Sequence, residues 1–547
     1  MIRREWAGVT LAVVVTLVLR LVGIGWGTPT EERYLSWSPD EGSFTSMLYQ
    51  MDPFHLNLNP GRFDIPSFTP YALAAGLLVS KALGIVELRP DKAYYVAHLE
   101  QWGRIFLTGR LVSVCFAVLT TVAMYVLIRR LYAGYPRWLP FLGATWLSIA
   151  PGHVAWSHYL SQNPLVTFWI VVALYFLVAL VERPDVRHYV LAGLCSGIAL
   201  STNYNAAVLL PLIPLAHVLA CPTGGKFGTW FAPRGLGRLL LAALAAVSGF
   251  IIVTPYSLLD FRGFWYWVTW INRNLSGGLG RVGLAESARR LFLDVLPAAI
   301  GWGPYLLGAV GLAWTVGNRR RCRAEWLGLA FIGLFLLAAG RSSHQLAVGR
   351  LLPMAVVWLL PAVGLIGALW QQPRRIARGG AVVLTAGALG TALVPALAVD
   401  VYFVRDAVRR DASAWIRAYI PRGATIGTIW EPYYFTPDIL GLDYHHPEAT
   451  GGLYHYQVYM FNGDQLRESP ADFIVVASQE LGRRFAESTE PTKAVFRALL
   501  DTKYDRVAEF TLCEQVGWAC LVLERHPALF DSLWPAPDVW IYRRTAE

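Results

Sequence analysis

Of 547 residues, 55% are hydrophobic and only 15% are charged, against roughly 25% in soluble domains, which excludes an ordinary soluble globular chain. The net charge of +10 invites nucleic acid, but the basic residues stand in short clusters between apolar runs, where they set membrane orientation. Nucleic acid is therefore excluded as a partner and membrane lipid is included.

Apolar runs of about 20 residues, enough to cross a bilayer as a helix, recur to residue 399 and then stop. The first, Ala7–Trp26, follows Arg3 and Arg4 and lacks an Ala-x-Ala cleavage signal, so it reads as an uncleaved helix. Arg20 lies near its outer end and is expected to snorkel to the membrane surface. Further spans are predicted near 105–128, 139–157, 163–181, 188–202, 205–220, 239–255, 295–316, 326–340, 351–370 and 380–399, eleven in all. The apolar stretch 70–85 is too short to span and reads as an interfacial or re-entrant helix. One set of loops carries Arg3/Arg4, Arg129/Arg130/Arg137, Arg183/Arg187, Lys226/Arg234/Arg238, Arg319–Arg323 and Arg374/Arg375/Arg378, while the short loops 158–162 and 203–204 carry no positive charge. The positive-inside rule puts the first set in the cytoplasm. With an odd number of spans, the outer loops 27–104 and 256–294 and the tail 400–547 then lie outside.

The domains predicted are thus a transmembrane part, 1–399, and a soluble extracytoplasmic α/β domain, 400–547. In the tail, Asp406–Tyr419 is amphipathic and ends at Pro421. Ala424–Trp430, Phe473–Ser478, Arg506–Thr511, Cys520–Glu524 and Val539–Arg543 read as strands, with a helix over Gln479–Leu500. Cys513 and Cys520 suit a disulfide in an oxidising exterior, with two buried thiols as the alternative. The other four cysteines lie in or beside spans and read as packing residues. Asp443, His445, His446, Glu448 and His455 match no standard metal spacing and read as a loop that contacts an acceptor. No metal site and no cofactor is predicted, although a divalent ion stays open. No glycine-rich phosphate loop or nucleotide fingerprint occurs, so an enzyme here needs an activated substrate other than a soluble nucleotide.

Two adjacent carboxylates, Asp40 and Glu41, follow the first helix just outside the membrane. They suit a general base with an orienting neighbour; equally, they suit a helix N-terminus, after Ser38 and Pro39, where acids favour the dipole. The loop beyond, Asn57 to Tyr71, is rich in turn formers and adds Arg62 and Asp64. Arg110 lies deeper, inside the second span, as a further candidate for contacting a lipid phosphate.

Several of these segments, taken in order, resemble a known family. Arg20-Leu21 at the end of the first helix, the outer pair Asp40-Glu41, and Asn59-Pro60 followed by Phe63, Pro66-Ser67 and Tyr71 resemble the polyprenyl-phosphate-sugar glycosyltransferases. These belong to the glycosyltransferase C superfamily, with the protein O-mannosyltransferases and the aminoarabinose transferase of lipid A. Ser157-His158-Tyr159 with Pro164-Leu165 is similar to the family's second outer loop. Thr202-Asn203-Tyr204-Asn205-Ala206 is similar to its Thr-Lys-Tyr-Asn-Ala segment. Thr254-Pro255-Tyr256 with Asp260 resembles the opening of the fourth outer loop, Arg350 to Pro353 the Arg-Tyr-x-x-Pro helix start, and Ile541-Tyr542-Arg543 the last strand. Two positions depart from the pattern: Asn163 replaces an acid and Asn203 a lysine.

The resemblance implies a polytopic α-helical membrane enzyme of a prokaryotic plasma membrane. It would move a hexose or pentose from a polyprenyl phosphate to a hydroxyl of a protein, lipid or glycan on the outer face, with inversion. It implies Asp40 as base, Glu41 as its orienting neighbour, and Arg350 as the group that stabilises the leaving phosphate. Arg62, Asp64, His158, Arg341 and His344 stand as further substrate contacts. Two other readings remain: a non-catalytic glycolipid-binding relative, and a flippase or transporter, which would commonly show an internal repeat.

Overall fold

The computed structural model describes residues 2–30, 33–34, 36–38, 40–52, 55–221, 232–274, 283–317, 323–339, 346–430, 435–439, 454–481, 491–531, 533 and 537–545. Five of its helices are long and apolar enough to cross a bilayer: Leu99–Leu131, Gln162–Glu182, Pro233–Val253, Val348–Gln371 and one that begins at Arg375. Shorter apolar helices, Val186–Leu200 and Glu325–Ala339 among them, pack with these. Val348–Gln371 is apolar all round and forms the centre of the bundle, as such helices do. From Val348 to Ala368 every residue except Arg350 is buried. Pro233–Val253 is peripheral: it buries Ala242, Ala246 and Gly249 and turns Leu236, Leu240, Leu244, Val247 and Ile252 outward, a surface suited to lipid.

Three of the predicted runs are interrupted, each at a residue that breaks helices. The run 139–157 is two helices, Leu139–Ser148 and Pro151–Ser157, because Pro151 has no N–H and pushes Ala150 to extended geometry. The run 205–220 is a 3-10 turn, Tyr204–Leu209, and a helix, Leu212–Leu219, parted at Pro211. The run 295–316 changes direction at Gly301, whose φ of +85° and close approach to Thr391 and Ala392 exclude a side chain. The stretch read as interfacial is the helix Phe68–Ala82. It buries Leu73 and Leu77 and exposes Leu78 and Val79.

Leu99–Leu131 has 33 residues and Arg375–Arg405 has 31, so each is over 45 Å long at about 1.5 Å per residue. A bilayer core is about 30 Å thick, so both helices project beyond it. The second carries the tail. Tyr402 donates to Leu533 O at 3.1 Å and Ala407 N–H to Gln515 Oε1 at 2.6 Å, and one apolar core runs from the bundle through Tyr402, Phe403 and Val408 to Leu523 and Val539.

The tail sheet has strands β1 Thr425–Thr428, β2 His455–Val458, β3 Phe473–Ala477, β4 Tyr504–Phe510 and β5 Val539–Arg544, in the order β2-β1-β3-β5-β4. β1 is parallel to β2 and β3, and β5 is antiparallel to β3 and β4. The predicted strand Cys520–Glu524 is instead part of a helix, Trp518–Glu524, and β2 replaces it as the fifth strand. Cys513 and Cys520 are joined in a disulfide, with Cα atoms 5.1 Å apart.

Candidate active site

The helix Glu41–Gln50 opens the region. Asp40 occupies its N-cap position, is exposed, and makes no capping hydrogen bond. Its carboxylate therefore is not used to close the helix end, the role the sequence left open for it.

Glu41 is fully buried. Arg110 grips it in a bidentate way, Nε to Oε1 and Nη2 to Oε2, both at 2.8 Å. Ser36 Oγ donates to Oε2 at 2.5 Å and the Leu160 N–H to Oε1 at 2.8 Å. Four donors fill a carboxylate's acceptor capacity. Arg110, for its part, donates to the carbonyls of Ile24 and Trp26, so it is spent on this knot and not on a lipid phosphate. Glu41 ties the start of its helix to the second span and to the turn after Ser157.

Arg350, in the first turn of Val348–Gln371, lies within electrostatic range of Asp40. A carboxylate and a guanidinium from distant parts of the sequence thus lie near enough to interact at one end of the bundle.

A second group of the singled-out segments meets around the loop Asn57 to Tyr71. Asn59 Nδ2 donates to Asp260 at 3.0 Å, the Tyr256 hydroxyl accepts from the Leu58 N–H, and Tyr71 donates to Leu58 O. Tyr204 donates to Phe63 O and the Phe68 N–H to Ser201 O. Arg62 forms a bidentate pair with Asp64, at 3.1 and 2.6 Å, and its guanidinium lies over the Trp267 ring. Arg62 and Asp64 thus bond to each other. Asn203, where the family pattern has lysine, accepts from the Asn205 N–H and caps the following turn. Gln50, at the far end of the Asp40 helix, abuts Gly61, whose φ of +65° and lack of a side chain admit it.

The structure places His158 elsewhere. It is buried, both ring nitrogens face backbone carbonyls, of Val154 and Val22, and the ring stacks on Phe403 with centroids 4.1 Å apart. It fastens the first helix to the third span and contacts no site. Arg341, His344 and the stretch Asp443–Glu448 lie outside the described residues, and His455 is exposed on β2. Arg20 does not snorkel. It is buried and donates to the carbonyls of Thr16, Leu147 and Ser148, with His153 Nδ1 at 2.9 Å. The cause is the nearby helix break: the helix ends at Ser148 ahead of Pro151, and the guanidinium takes Ser148 O at 2.8 Å. Among the described residues, the one cluster of three metal-type ligands is Cys513, Cys520 and Glu524, and its two sulfurs are the disulfide.

Sequence reasoning missed Asp406 and Arg409, which join the tail to the Asp40 loop, and Arg110 as the partner of Glu41. The signal for Arg110 was its depth in an apolar helix, where an arginine requires an internal partner.

The family model of dolichyl-phosphate-mannose-protein mannosyltransferases matches residues 102–253. That segment contains Arg110 and Leu160, which hold Glu41, but not Asp40 itself. No curated protein sequence matches the chain. Among solved structures, the Archaeoglobus fulgidus oligosaccharyltransferase in complex with zinc and sulfate is similar at 12% identity, covering 98% of this chain and 88% of that one, with a TM-score of 0.52. The archaeal oligosaccharyltransferase AglB of the same organism, with an inhibitory peptide and a dolichol-phosphate, is similar at 11% identity over 99% and 88%, TM-score 0.51. ArnT from Cupriavidus metallidurans bound to undecaprenyl phosphate is similar at 14% identity over 97% of each chain, TM-score 0.47. At such identities the likeness is one of fold.

Proposed function

We propose that this chain, which matches the dolichyl-phosphate-mannose-protein mannosyltransferase model over residues 102–253 and shares the fold of an oligosaccharyltransferase, is a glycosyltransferase of the C superfamily that transfers a sugar from a polyprenyl-phosphate donor to an acceptor hydroxyl at the outer face of the membrane. The observation that carries this reading is Asp40: an exposed carboxylate at a helix start, fixed from behind by the buried Glu41–Arg110 pair and near enough to Arg350 to interact. Asp40 takes the proton of the acceptor hydroxyl as its oxygen attacks the anomeric carbon. The bond from that carbon to the phosphate oxygen breaks in the same step, so the configuration inverts. The leaving group is a lipid phosphate, which needs charge stabilisation more than a proton; Arg350 supplies it, with a geometry suited to phosphate. A donor held in the membrane accords with the lack of a nucleotide fingerprint in the sequence, and in AglB, which shares the fold, a dolichol-phosphate is bound.

The topology proposed is eleven spans with the tail outside, in a prokaryotic plasma membrane. The acceptor class is left among protein, lipid and glycan.

The test is transfer by the purified protein from radiolabelled polyprenyl-phosphate sugars to a panel of glycan, lipid and peptide acceptors. Asp40→Asn keeps the shape and removes the proton acceptor. Turnover is expected to fall about 10²–10⁴-fold, the usual worth of a general base, with donor binding retained. Wild-type turnover by Asp40→Asn would move the base elsewhere, and Asp64→Asn is then the next variant to assay.

A further inference from the structure

The turn that carries Asp40 is gripped from the tail as well as from the membrane helices. At the base of the tail, Arg409 and Asp406 are paired at 3.1 Å with both side chains fully buried. Asp406 Oδ2 also accepts the indole N–H of Trp26 at 3.0 Å. The Arg409 guanidinium lies 3.9 Å from the centre of the Trp37 ring and 5.3 Å from that of Trp26. The two indoles meet edge to face, with centroids 5.3 Å apart. Trp37 stands three residues before Asp40. Its own N–H bonds Gly27 O at 2.9 Å, and Gly27, with φ +58°, packs so closely on the ring that a side chain there would overlap it. Nearby, Arg33 of the same loop donates to Asp438 Oδ1 at 3.2 Å and to Thr436 O at 3.4 Å, both in the tail.

A cation over an indole face is attracted most when water is excluded, and burial of both partners excludes it here. The planar guanidinium can lie flat on the ring and still bond Asp406; an ammonium cannot do both. The loop between the first helix and Asp40 is therefore fixed by tail groups at Trp26, Arg33 and Trp37, while Arg110 and Glu41 fix its far side. In the chain, Asp40 lies between these two anchors, after Trp37 and before Glu41.

We propose that Arg409 is a positioning residue: by clamping Trp37 it sets the place of the Asp40 carboxylate, so the tail is a working part of the site and not only a surface for the acceptor. The proposal rests on the transferase reading for its kinetic readout, but not for its structural one. The test uses the full chain in nanodiscs, with Arg409→Met, Trp37→Leu, their double variant, and Trp37→Phe. Turnover and donor KM are measured, and backbone hydrogen exchange is followed over residues 36–44 and over β3.

A misplacement of about 1 Å can cost a hundredfold in rate, so each single variant is expected to lose about ten- to hundredfold in kcat at unchanged donor KM. The double variant is expected to lose no more than the worse single, since both remove one interaction. Trp37→Phe, which keeps a ring, restores part of the rate. Exchange is expected to quicken at 36–44 and not in β3. Unchanged kcat in Arg409→Met, or losses that multiply in the double variant, would overturn the proposal. So would exchange that quickens through β3 as well, which would make Arg409 an ordinary folding residue. If the wild type transfers no sugar, the transferase reading fails by itself, and exchange at 36–44 still decides the clamp: no change there refutes it.

Discussion

One buried acid of the tail sheet region, Glu480, gives the tail a predictable pH dependence. Its carboxyl accepts from the Ala477 N–H at 2.8 Å and from the Trp430 N–H at 3.3 Å. Burial outweighs both and pushes its pKa up from 4.5 to about 8. Between those values the folded chain holds a proton that the unfolded chain releases. Stability must then fall as pH rises through that window, with no contribution to the slope below or above it. Glu480→Gln imitates the protonated acid and removes this term. Thermal unfolding of the purified chain at pH 5 and at pH 8.5 measures it: the wild type is expected to lose more stability than the variant between the two. Equal losses would mean that Glu480 is ionised throughout. The sequence disclosed which residues carry charge, not where they point. Asp40 and Glu41 are neighbours, yet one is exposed and the other buried among four donors, a difference of one helical step that only the partners Arg110 and Leu160 decide. Arg20 and Arg110 look alike as arginines in apolar helices, and both bond internally, because helix ends and a proline break leave carbonyls for them. His158 and Asn203 went the other way: each is used locally, by packing or by capping.

Between elements, one close helix contact is a seam of small residues. Gly193 and Gly197 of Val186–Leu200 lie against the backbone at Ala242 and Ala246 of Pro233–Val253, and Gly249 against Leu194. Four-residue spacing puts each pair on one face, the arrangement by which membrane helices approach closely without a hydrophobic drive. A Cβ at Gly197 would overlap the Ala246 carbonyl, which neither helix can move alone. Gly197→Leu is therefore expected to cost at least the 1–3 kcal/mol typical of overpacking, read as a lowered unfolding temperature in detergent. Gly237→Ala, on the partner helix Pro233–Val253 with nothing within 4 Å, should change little, within about 0.5 kcal/mol. Equal effects at the two sites would dismiss the seam. Apolar length and periodicity made the long helices legible. What periodicity could not give was the internal breaks, since an apolar run continues across Pro151, Pro211 and Gly301 although the backbone does not. In the tail, Cys520–Glu524 has a strand's composition, but Gly517 at φ +56° starts a fresh helix there, whose buried Ala519, Cys520 and Leu523 follow helical spacing. β2 is four residues at the sheet edge, polar enough (His455, Gln457) to carry no strand signal.

For the molecule as a whole, the contacts sort the turns into two ends. Arg130, in the last turn of the helix Leu99–Leu131, pairs with Glu182 at the end of Gln162–Glu182. Gln371, closing Val348–Gln371, donates to Gly134 O in the same turn region, and Arg323 reaches the carbonyls of Leu219 and Cys221. At the opposite end, Arg110 meets Ile24 and Trp26, Phe68 meets Ser201, and Trp26 meets Asp406 of the tail. The cluster of Arg129 and Arg130 therefore lies at one end with Glu182 and Gln371, and the Asp40 helix and the tail lie at the other. Which end faces the cytoplasm is a matter of charge, because Lys and Arg in short loops are retained on that side. A thiol introduced as Glu468→Cys, exposed on the helix Gly463–Glu468, should react with a membrane-impermeant maleimide on intact cells. Arg187→Cys, exposed in the first turn of Val186–Leu200, should react only after the membrane is opened. Both are made in a chain whose other free cysteines are serine. The reverse pattern would turn the molecule over and put Asp40 on the cytoplasmic side, where an acceptor could come straight from the cytosol. Labelling at both sites on intact cells would mean instead that the chain inserts in two orientations, and that the charge bias is too weak to choose between them.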